Sequence, residues 1–217
     1  MKPELFTFDI FGTILDWQTG MANEVIKTGI SFESPSDLDR VIDLQGKDEQ
    51  GVYQSYREIT KDSLVKAFGM PEDLADAIGA CAGTWPLFSD SREGIKLLMG
   101  IAPCIAMTNS DRAHGEQIQA SLGFPLSDWI CAEETGVYKP SPEFWHFVSQ
   151  RTRVPFSRRW WHVSAYADYD LSVAKDLGLT CVYIPRAHSR PGSAHLEVPD
   201  LVALAQSILD GSAVAHA

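Results

Sequence analysis

The residues best suited to chemistry stand near the start of the chain, where an apolar segment ends in an acid. Leu5 to Ile10 is predicted to be a strand, and Asp9 would lie at its carboxyl end. Open α/β sheets place their reactive groups at this end of a strand. Gly12 would permit a sharp turn, and Thr13 could orient the carboxylate by a hydrogen bond. Such an aspartate can act as a nucleophile or can simply cap a turn.

Three further polar groups follow later predicted strands. Thr108 and Asn109 offer a hydroxyl and an amide after the second strand. Lys139 is held before a proline-led helix start, where it could bind a negative charge. Asp170 is expected in the first turn of a helix. Each group also has a structural explanation, because such residues commonly cap helices or are solvated at the surface.

The elements that would position these groups alternate between strand and helix. Strands are predicted at residues 5–10, 104–107, 129–132, 160–165 and 180–184, and helices at 112–122, 142–151, 171–177 and 199–209. This alternation predicts an α/β fold, with a parallel sheet covered by helices on both faces.

The segment from about Trp17 to Leu87 contains no convincing strand. Helices are predicted there at residues 21–29, 36–44, 53–68 and 71–82. We therefore predict an all-helical cap at residues 16–87, inserted into an α/β core made of residues 1–15 and 88–217. The residues from Gly211 to Ala217 are predicted to form a loose tail.

The composition limits the class of partner. A formal net charge of −11 disfavours nucleic acids and anionic membranes, although a small anion could still bind in a cleft that contains cations. The four cysteines form no CxxC pair, so a zinc site is not expected. No signal peptide or membrane-spanning segment is predicted, and we expect a cytoplasmic protein.

The four motifs, taken together and in this order, resemble the haloacid dehalogenase superfamily. The first motif, Phe-Asp-Ile-Phe-Gly-Thr-Ile-Leu-Asp-Trp, is most similar to the type II L-2-haloacid dehalogenases. The resemblance covers the whole chain, including the helical insertion. It implies a Rossmann-like core with a helical cap and, in some relatives, a homodimer.

Two positions depart from the magnesium-dependent phosphatases of the same superfamily. Phe11 stands where those enzymes carry a second aspartate, and Ala165 stands where they carry a metal-binding aspartate. Magnesium requires several oxygen ligands. The resemblance therefore implies a hydrolase with no metal and no other cofactor.

The resemblance also assigns roles in the reaction. Asp9 would attack C2 of a small carboxylic acid, such as an (S)-2-haloacid, and form an ester. Lys139 would keep Asp9 ionised and lower the pKa of its carboxyl group. Water would then hydrolyse the ester, with Asp170 activating or orienting that water, to give a 2-hydroxy acid.

Other residues are expected to contact the substrate or orient these groups. Thr13 and Ser164 would orient the carboxylates and Lys139. Backbone N–H groups near Ile10 and Phe11 would bind the substrate carboxylate or an oxyanion. The remaining candidates for substrate binding are Thr108, Asn109, Trp145, Tyr166, Asp168 and the cap residue Arg40, with Lys47 and Arg57 as alternatives to Arg40.

Three alternatives to a dehalogenase remain open on the sequence. A relative in this branch opens the nitrogen ring of azetidine-2-carboxylate, and Asp168 could protonate such an amine. A magnesium-dependent phosphatase would use Asp9 and Lys139 equally well. A binding protein without catalysis is the third alternative.

Overall fold

The computed structural model describes residues 2–31 and 36–213 and contains a six-stranded sheet in which all strands run parallel. The strands are β1 (Leu5–Phe8), β2 (Cys104–Thr108), β3 (Asp128–Cys131), β4 (Trp160–Ser164), β5 (Thr180–Tyr183) and β6 (Leu196–Glu197). Their order in the sheet is β3-β2-β1-β4-β5-β6, so β1 lies between β2 and β4.

Within the described residues, the segment after β1 begins with four α-helices. They are α1 (Trp17–Lys27), α2 (Ser36–Asp48), α3 (Tyr56–Phe68) and α4 (Glu72–Ala80), and we refer to them as the cap helices. Two begin away from their predicted starts because side-chain caps decide the boundary. Asp16 accepts the Thr19 N–H and starts α1, and Ser55 forms a capping box with Glu58 and starts α3.

Six helices accompany the remaining strands. They are α5 (Ser91–Met99), α6 (Arg112–Leu122), α7 (Ala132–Thr135), α8 (Pro142–Thr152), α9 (Ser172–Asp176) and α10 (Leu201–Leu209). A π-helical turn, Ala167–Leu171, leads into α9. The predicted α/β fold, with a Rossmann-like core and an inserted helical cap, is confirmed.

Alternation along the strands builds two hydrophobic cores, one on each face of the sheet. Phe6 and Phe8 of β1 belong to the core that α1, α5, α6 and α10 cover. Leu5 belongs to the opposite core, which α8 and the π-helical turn cover. Thr7 also has its side chain on that second face and is buried there. Because both faces of the sheet are buried, the strands are apolar along almost their whole length.

Polar contacts fasten the cap helices to the core. The Asp111 carboxylate, at the start of α6, accepts the backbone N–H groups of Tyr56 at 2.7 Å and Arg57 at 2.9 Å. A residue of the α/β core therefore accepts from the first N–H groups of α3, which have no acceptor within the helix itself. His114 bonds the carbonyl of Gly79 at 2.8 Å, which holds the end of α4 as well.

Helix α5 is absent from the sequence prediction. Gly94 interrupts its apolar pattern, and glycine weakens a helix assignment. The structure explains the glycine, because a Cβ there would lie 2.3 Å from the Cβ of Leu201 in α10. The last four residues of the predicted tail, 214–217, lie outside the described residues. None of the described helices is long and apolar enough to cross a membrane.

Candidate active site

Asp9 lies directly after β1, with its backbone N–H donating to the carbonyl of Val163 at 3.0 Å. Its side chain is fixed from two directions. Thr13 Oγ1 donates to Oδ2 at 2.7 Å, and Lys139 Nζ donates to Oδ1 at 2.9 Å. The Thr13 oxygen accepts the backbone N–H of Ala165 at 2.9 Å, so its hydroxyl hydrogen is directed to Asp9. The carboxylate is therefore held in one orientation.

The turn after Asp9 requires glycine at position 12. Gly12 has φ +92°, and a Cβ there would lie 2.1 Å from the hydroxyl oxygen of Tyr166. Any side chain would both strain the backbone and displace this tyrosine. Phe11, in the same turn, packs against Tyr56 of α3 with ring centroids 5.0 Å apart. The turn thus brings a cap helix against the core next to Asp9.

Lys139 joins two carboxylates that are far apart in the chain. Its ammonium group donates to Asp9 at 2.9 Å and to Asp170 Oδ2 at 2.7 Å, and its side chain is buried. The Asn109 side-chain oxygen accepts the Lys139 backbone N–H at 2.7 Å. The loops that follow β1, β2, β3 and β4 therefore meet around one ion pair network, at the carboxyl edge of the sheet.

Asp170 is fully buried in the π-helical turn, behind Lys139. Ser164 donates to its Oδ2 at 3.1 Å, and His162 Nε2 lies 3.5 Å from the same oxygen. Trp160 Nε1 donates to Thr7 Oγ1 at 2.8 Å, and the Thr7 hydroxyl faces His162 Nδ1 at 2.8 Å. Because an indole nitrogen only donates, the Thr7 hydrogen is left for Nδ1. The ring hydrogen of His162 is then on Nε2, toward Asp170.

Burial and ion pairing act in opposite directions on these charges. Burial raises the pKa of Asp9 above its ordinary value, although Lys139 and Thr13 act to lower it. Lys139 thus acts on the pKa of Asp9 in the predicted direction, but desolvation is the larger effect and the net shift is upward. Burial would also raise the pKa of Asp170, but Lys139 and His162 outweigh it and hold that pKa at about 2.

A cavity of about 590 Å³ opens above Asp9, between the cap helices and the carboxyl edge of the sheet. The core contributes the acid, the lysine and several aromatic and polar side chains. The cap contributes mainly α2 and the residues just after it. The lining residues are Asp9, Phe11, Trp17, Ile42, Asp43, Gln45, Gly46, Lys47, Glu49, Gln50, Tyr56, Thr108, Asn109, Ser110, Lys139, Tyr166, Tyr169 and Arg190.

Glu49 is a cavity residue that the sequence reasoning missed. It follows the last residue of α2, and its Oε2 accepts the side-chain N–H of Asn109 at 2.9 Å. Burial raises the pKa of Glu49 to about 7, against opposing effects of Asn109 and Lys139. The available signal was helical spacing, because Glu49 lies four positions after the buried Gln45.

Several predicted substrate-binding residues line this cavity, namely Phe11, Thr108, Asn109 and Tyr166. Ile10 and Ser164 are buried and lie outside the lining. The Ile10 carbonyl accepts N–H groups within the turn after β1.

Three other predicted residues lie away from the cavity. Trp145 is fully buried in α8, edge-on to His162 with ring centroids 5.7 Å apart. Asp168 is exposed on the π-helical turn. Arg40 is exposed on α2 and donates to the carbonyl of Lys66. Their expected substrate contacts do not fit these positions, because each side chain is directed into the core or into solvent.

Of the two predicted alternatives to Arg40, one lines the cavity and the other does not. Lys47 lines the cavity from the last turn of α2. Arg57 pairs with Asp76 on the cap surface instead. Arg190, which also lines the cavity, was missed because it lies in an irregular loop between β5 and β6.

The donor set around Asp9 does not fit magnesium. The metal needs several oxygen ligands in octahedral geometry. Here the ammonium of Lys139 lies between the two carboxylates, Ala165 stands at the expected metal-binding aspartate, and Phe11 removes a further carboxylate. Among the described residues, no group of three His, Cys, Asp or Glu side chains is arranged to hold a metal ion.

The fold and the site together describe an α/β protein with an aspartate after its first strand and a lysine beside that aspartate. The chain belongs to the haloacid dehalogenase-like hydrolase family, whose model matches residues 3–178. No curated protein matches the sequence significantly.

Solved structures share this fold at low sequence identity. The L-2-haloacid dehalogenase PA0810 is 21% identical with a TM-score of 0.83, over 95% of this chain and 99% of that one. The Xanthobacter autotrophicus L-2-haloacid dehalogenase with covalently bound chloropropionic acid is 14% identical with a TM-score of 0.81, over 95% and 98%. The Bacillus subtilis HAD-hydrolase YfnB, bound to magnesium, is 15% identical with a TM-score of 0.78, over 97% and 100%.

Proposed function

We propose that this protein is a metal-independent hydrolase that displaces a leaving group from C2 of a small carboxylic acid through an ester on Asp9. The observation that carries the proposal is the Asp9 carboxylate, which faces the cavity while Thr13 and Lys139 hold its two oxygens. A fixed carboxylate beside a cation is a suitable nucleophile for carbon. A halide leaves without a proton, so an (S)-2-haloacid is the first candidate substrate.

Lys139 serves both halves of this reaction. In the first half it neutralises and orients Asp9 while an Asp9 oxygen bonds to C2 and the carbon–halogen bond breaks. Asp9 loses its charge on becoming an ester, and Asp170 then keeps the ammonium in place. The same ammonium lies where negative charge develops on the ester carbonyl oxygen during water attack.

The substrate carboxylate needs its own donors. Lys47 and Arg190 line the cavity and supply positive charge. The backbone N–H group of Phe11, which lines the cavity, donates to no acceptor among the described residues and can therefore bind an anion. We assign the substrate carboxylate to these groups, since Lys139 is already occupied by two carboxylates.

Isotope labelling tests the ester mechanism. In a single turnover of L-2-chloropropionate in H₂¹⁸O, the product hydroxyl should carry no label, because its oxygen comes from Asp9. The label should appear in the Asp9 side chain, as mass spectrometry of the digested protein would detect. A chelator should leave turnover unchanged. Label in the first product molecules, or loss of activity on chelation, would contradict the proposal.

A ring nitrogen is the second candidate leaving group. The observation that favours it is the carboxyl group of Glu49 in the cavity, which can supply a proton. An amine must be protonated to leave, and burial beside the ammonium of Lys139 disfavours the protonated form that the ring nitrogen adopts in water, so the bound amine needs a proton donor. Because burial raises the pKa of Glu49 to about 7, a substantial fraction of the protein molecules carries a protonated Glu49 at neutral pH. Glu49 thereby replaces the exposed Asp168 as the candidate acid.

The two leaving groups should respond differently to pH. Ester formation from azetidine-2-carboxylate is expected to decrease as the pH rises through about 7, because Glu49 loses the proton that the amine requires. Ester formation from L-2-chloropropionate should lack this decrease. Rapid-quench measurement of the ester between pH 5.5 and pH 9 would compare them, and equal pH profiles would exclude Glu49 as the acid.

A further inference from the structure

Hydrolysis of the ester requires a proton acceptor. This step rests on the proposed function, in which an Asp9 ester forms. The water oxygen bonds to the Asp9 side-chain carbonyl carbon, and one water proton must leave as it does so. A positioned base typically accelerates such a step by about 10²- to 10⁴-fold. The acceptor must reach the cavity, where the water is.

Asp170 is poorly suited to accept this proton. It is fully buried and does not line the cavity, because Lys139 stands between it and Asp9. Its pKa, held at about 2 by Lys139 and His162 against burial, makes it a weak base. Asp170 is a positioning residue for Lys139.

The cavity offers few other bases. No histidine occurs among the described residues that line it. The lining tyrosines stay protonated, because burial raises the pKa of Tyr56, Tyr166 and Tyr169 well above the ordinary value. Asp43 lines the cavity too, but it is exposed, and the described contacts do not tie it to a core residue.

Glu49 differs from these groups in being held against the catalytic loops. Its Oε2 accepts from Asn109 Nδ2 at 2.9 Å, and the same amide nitrogen lies 2.8 Å from the hydroxyl of Tyr169. The Asn109 side-chain oxygen accepts from the Lys139 backbone. One amide therefore sets the positions of Glu49 and Lys139 together.

We propose that Glu49, supplied by the cap, is the general base that accepts a proton from the hydrolytic water. Glu49 takes this proton as the water oxygen bonds to the ester carbon. The bond from that carbon to the ester oxygen then breaks, and the departing 2-hydroxy oxygen takes the proton back from Glu49. Asp9 is left as a carboxylic acid and releases its proton to solvent, which balances the overall hydrolysis.

The electrostatic surroundings suit this role. Burial, the largest effect, raises the pKa of Glu49 to about 7, so that it is an effective base near neutral pH. Asn109 and Lys139 oppose the rise, and Asp9 and Asp170 add to it. The ionisable groups that interact with Glu49 are Lys139, Asp9, Asp170, Tyr56, Tyr138 and Tyr169.

The test is Glu49→Gln, with ester formation and ester hydrolysis measured separately by rapid quench and mass spectrometry using L-2-chloropropionate. Ester hydrolysis should slow by at least about 100-fold, and ester should accumulate on Asp9. In the unmodified protein the hydrolysis rate should rise with pH through about 7, and in the variant it should not. Asp39→Asn, which changes an exposed acid on α2, is the control.

The possible results separate this inference from the proposed function. If Glu49→Gln hydrolyses the ester within about threefold of the unmodified rate, Glu49 is not the base, and the ester mechanism stands. If Glu49→Gln slows ester formation by the same factor as it slows ester hydrolysis, relative to the unmodified protein, Glu49 is only structural. The inference is then also wrong. If the unmodified protein forms no ester with any 2-substituted acid, the proposed function itself fails.

Discussion

Replacing Asp9 with Asn is expected to lower turnover of the proposed 2-substituted acid substrate by at least about 10⁴-fold, as loss of a covalent nucleophile does in other hydrolases. The change keeps the size of the side chain and its contact with Thr13. It removes the charged oxygen that would bond to C2. The fold should be retained with a modest loss of stability, because the single amide oxygen keeps the hydrogen bond from Thr13 while the amide NH₂ group faces Lys139 and cannot accept from it.

The experiment compares product release by Asp9→Asn and by a control, Asp176→Asn, which changes an exposed carboxylate on α9. The control should behave as the unmodified protein. Residual turnover of Asp9→Asn within tenfold of normal would mean that the reaction does not pass through an Asp9 ester. Loss of ester from the mass spectrum should accompany the loss of turnover.

Replacing Lys139 with Met is expected to affect both activity and stability. Methionine keeps the length of the side chain but leaves two buried carboxylates without their cation. Breaking a buried ion pair in this way costs about 3–5 kcal/mol in the free energy of unfolding. Turnover should fall by about 10³-fold, because Lys139 no longer orients Asp9 or stabilises the oxyanion.

The stability loss should depend on pH in a defined direction. In the unmodified protein the Asp170 pKa lies below its ordinary value, so its stabilising contribution is present above about pH 4 and is lost as the pH falls toward 2. Without Lys139, burial raises the pKa of both carboxyl groups, and they destabilise the fold once ionised. The difference in unfolding free energy should therefore be larger at pH 7 than at pH 4.

Urea unfolding at these two pH values, followed by circular dichroism, measures the difference. A Lys66→Met variant removes an exposed lysine on α3 and serves as the control. A stability loss for Lys139→Met that is equal at both pH values would indicate a packing defect and not the loss of charge pairing.

The sequence was most informative for the sheet and for the acid at the end of its first strand. The apolar strands and the acid after β1 were predictable, because a parallel sheet buries both faces and exposes its carboxyl edge. Asp9, Asn109, Lys139 and Asp170 each lie in a segment that follows a predicted strand along the chain. These segments come together because parallel strands end at the same edge of the sheet, and the alternation of strands and helices predicts such a sheet.

The cap was less predictable because its position depends on tertiary contacts. The spacing from Gln45 indicates only which side of the helix Glu49 shares, and nothing local shows that this side approaches Asn109, 60 positions later in the chain. Arg40, on the same helix, was a reasonable cation but faces solvent. The sign of the Asp9 pKa shift was also unpredictable, since it depends on how fully the carboxyl group is desolvated.

The strand order has a consequence for how the chain is made. β1 is synthesised first, yet its two neighbours, β2 and β4, begin at residues 104 and 160. Until β4 emerges, one side of β1 has no hydrogen-bonding partner, and such an open edge invites pairing with other chains. A ribosome-bound fragment ending before Trp160 would therefore expose the strand that precedes the nucleophile, and protection of this edge comes only late in translation.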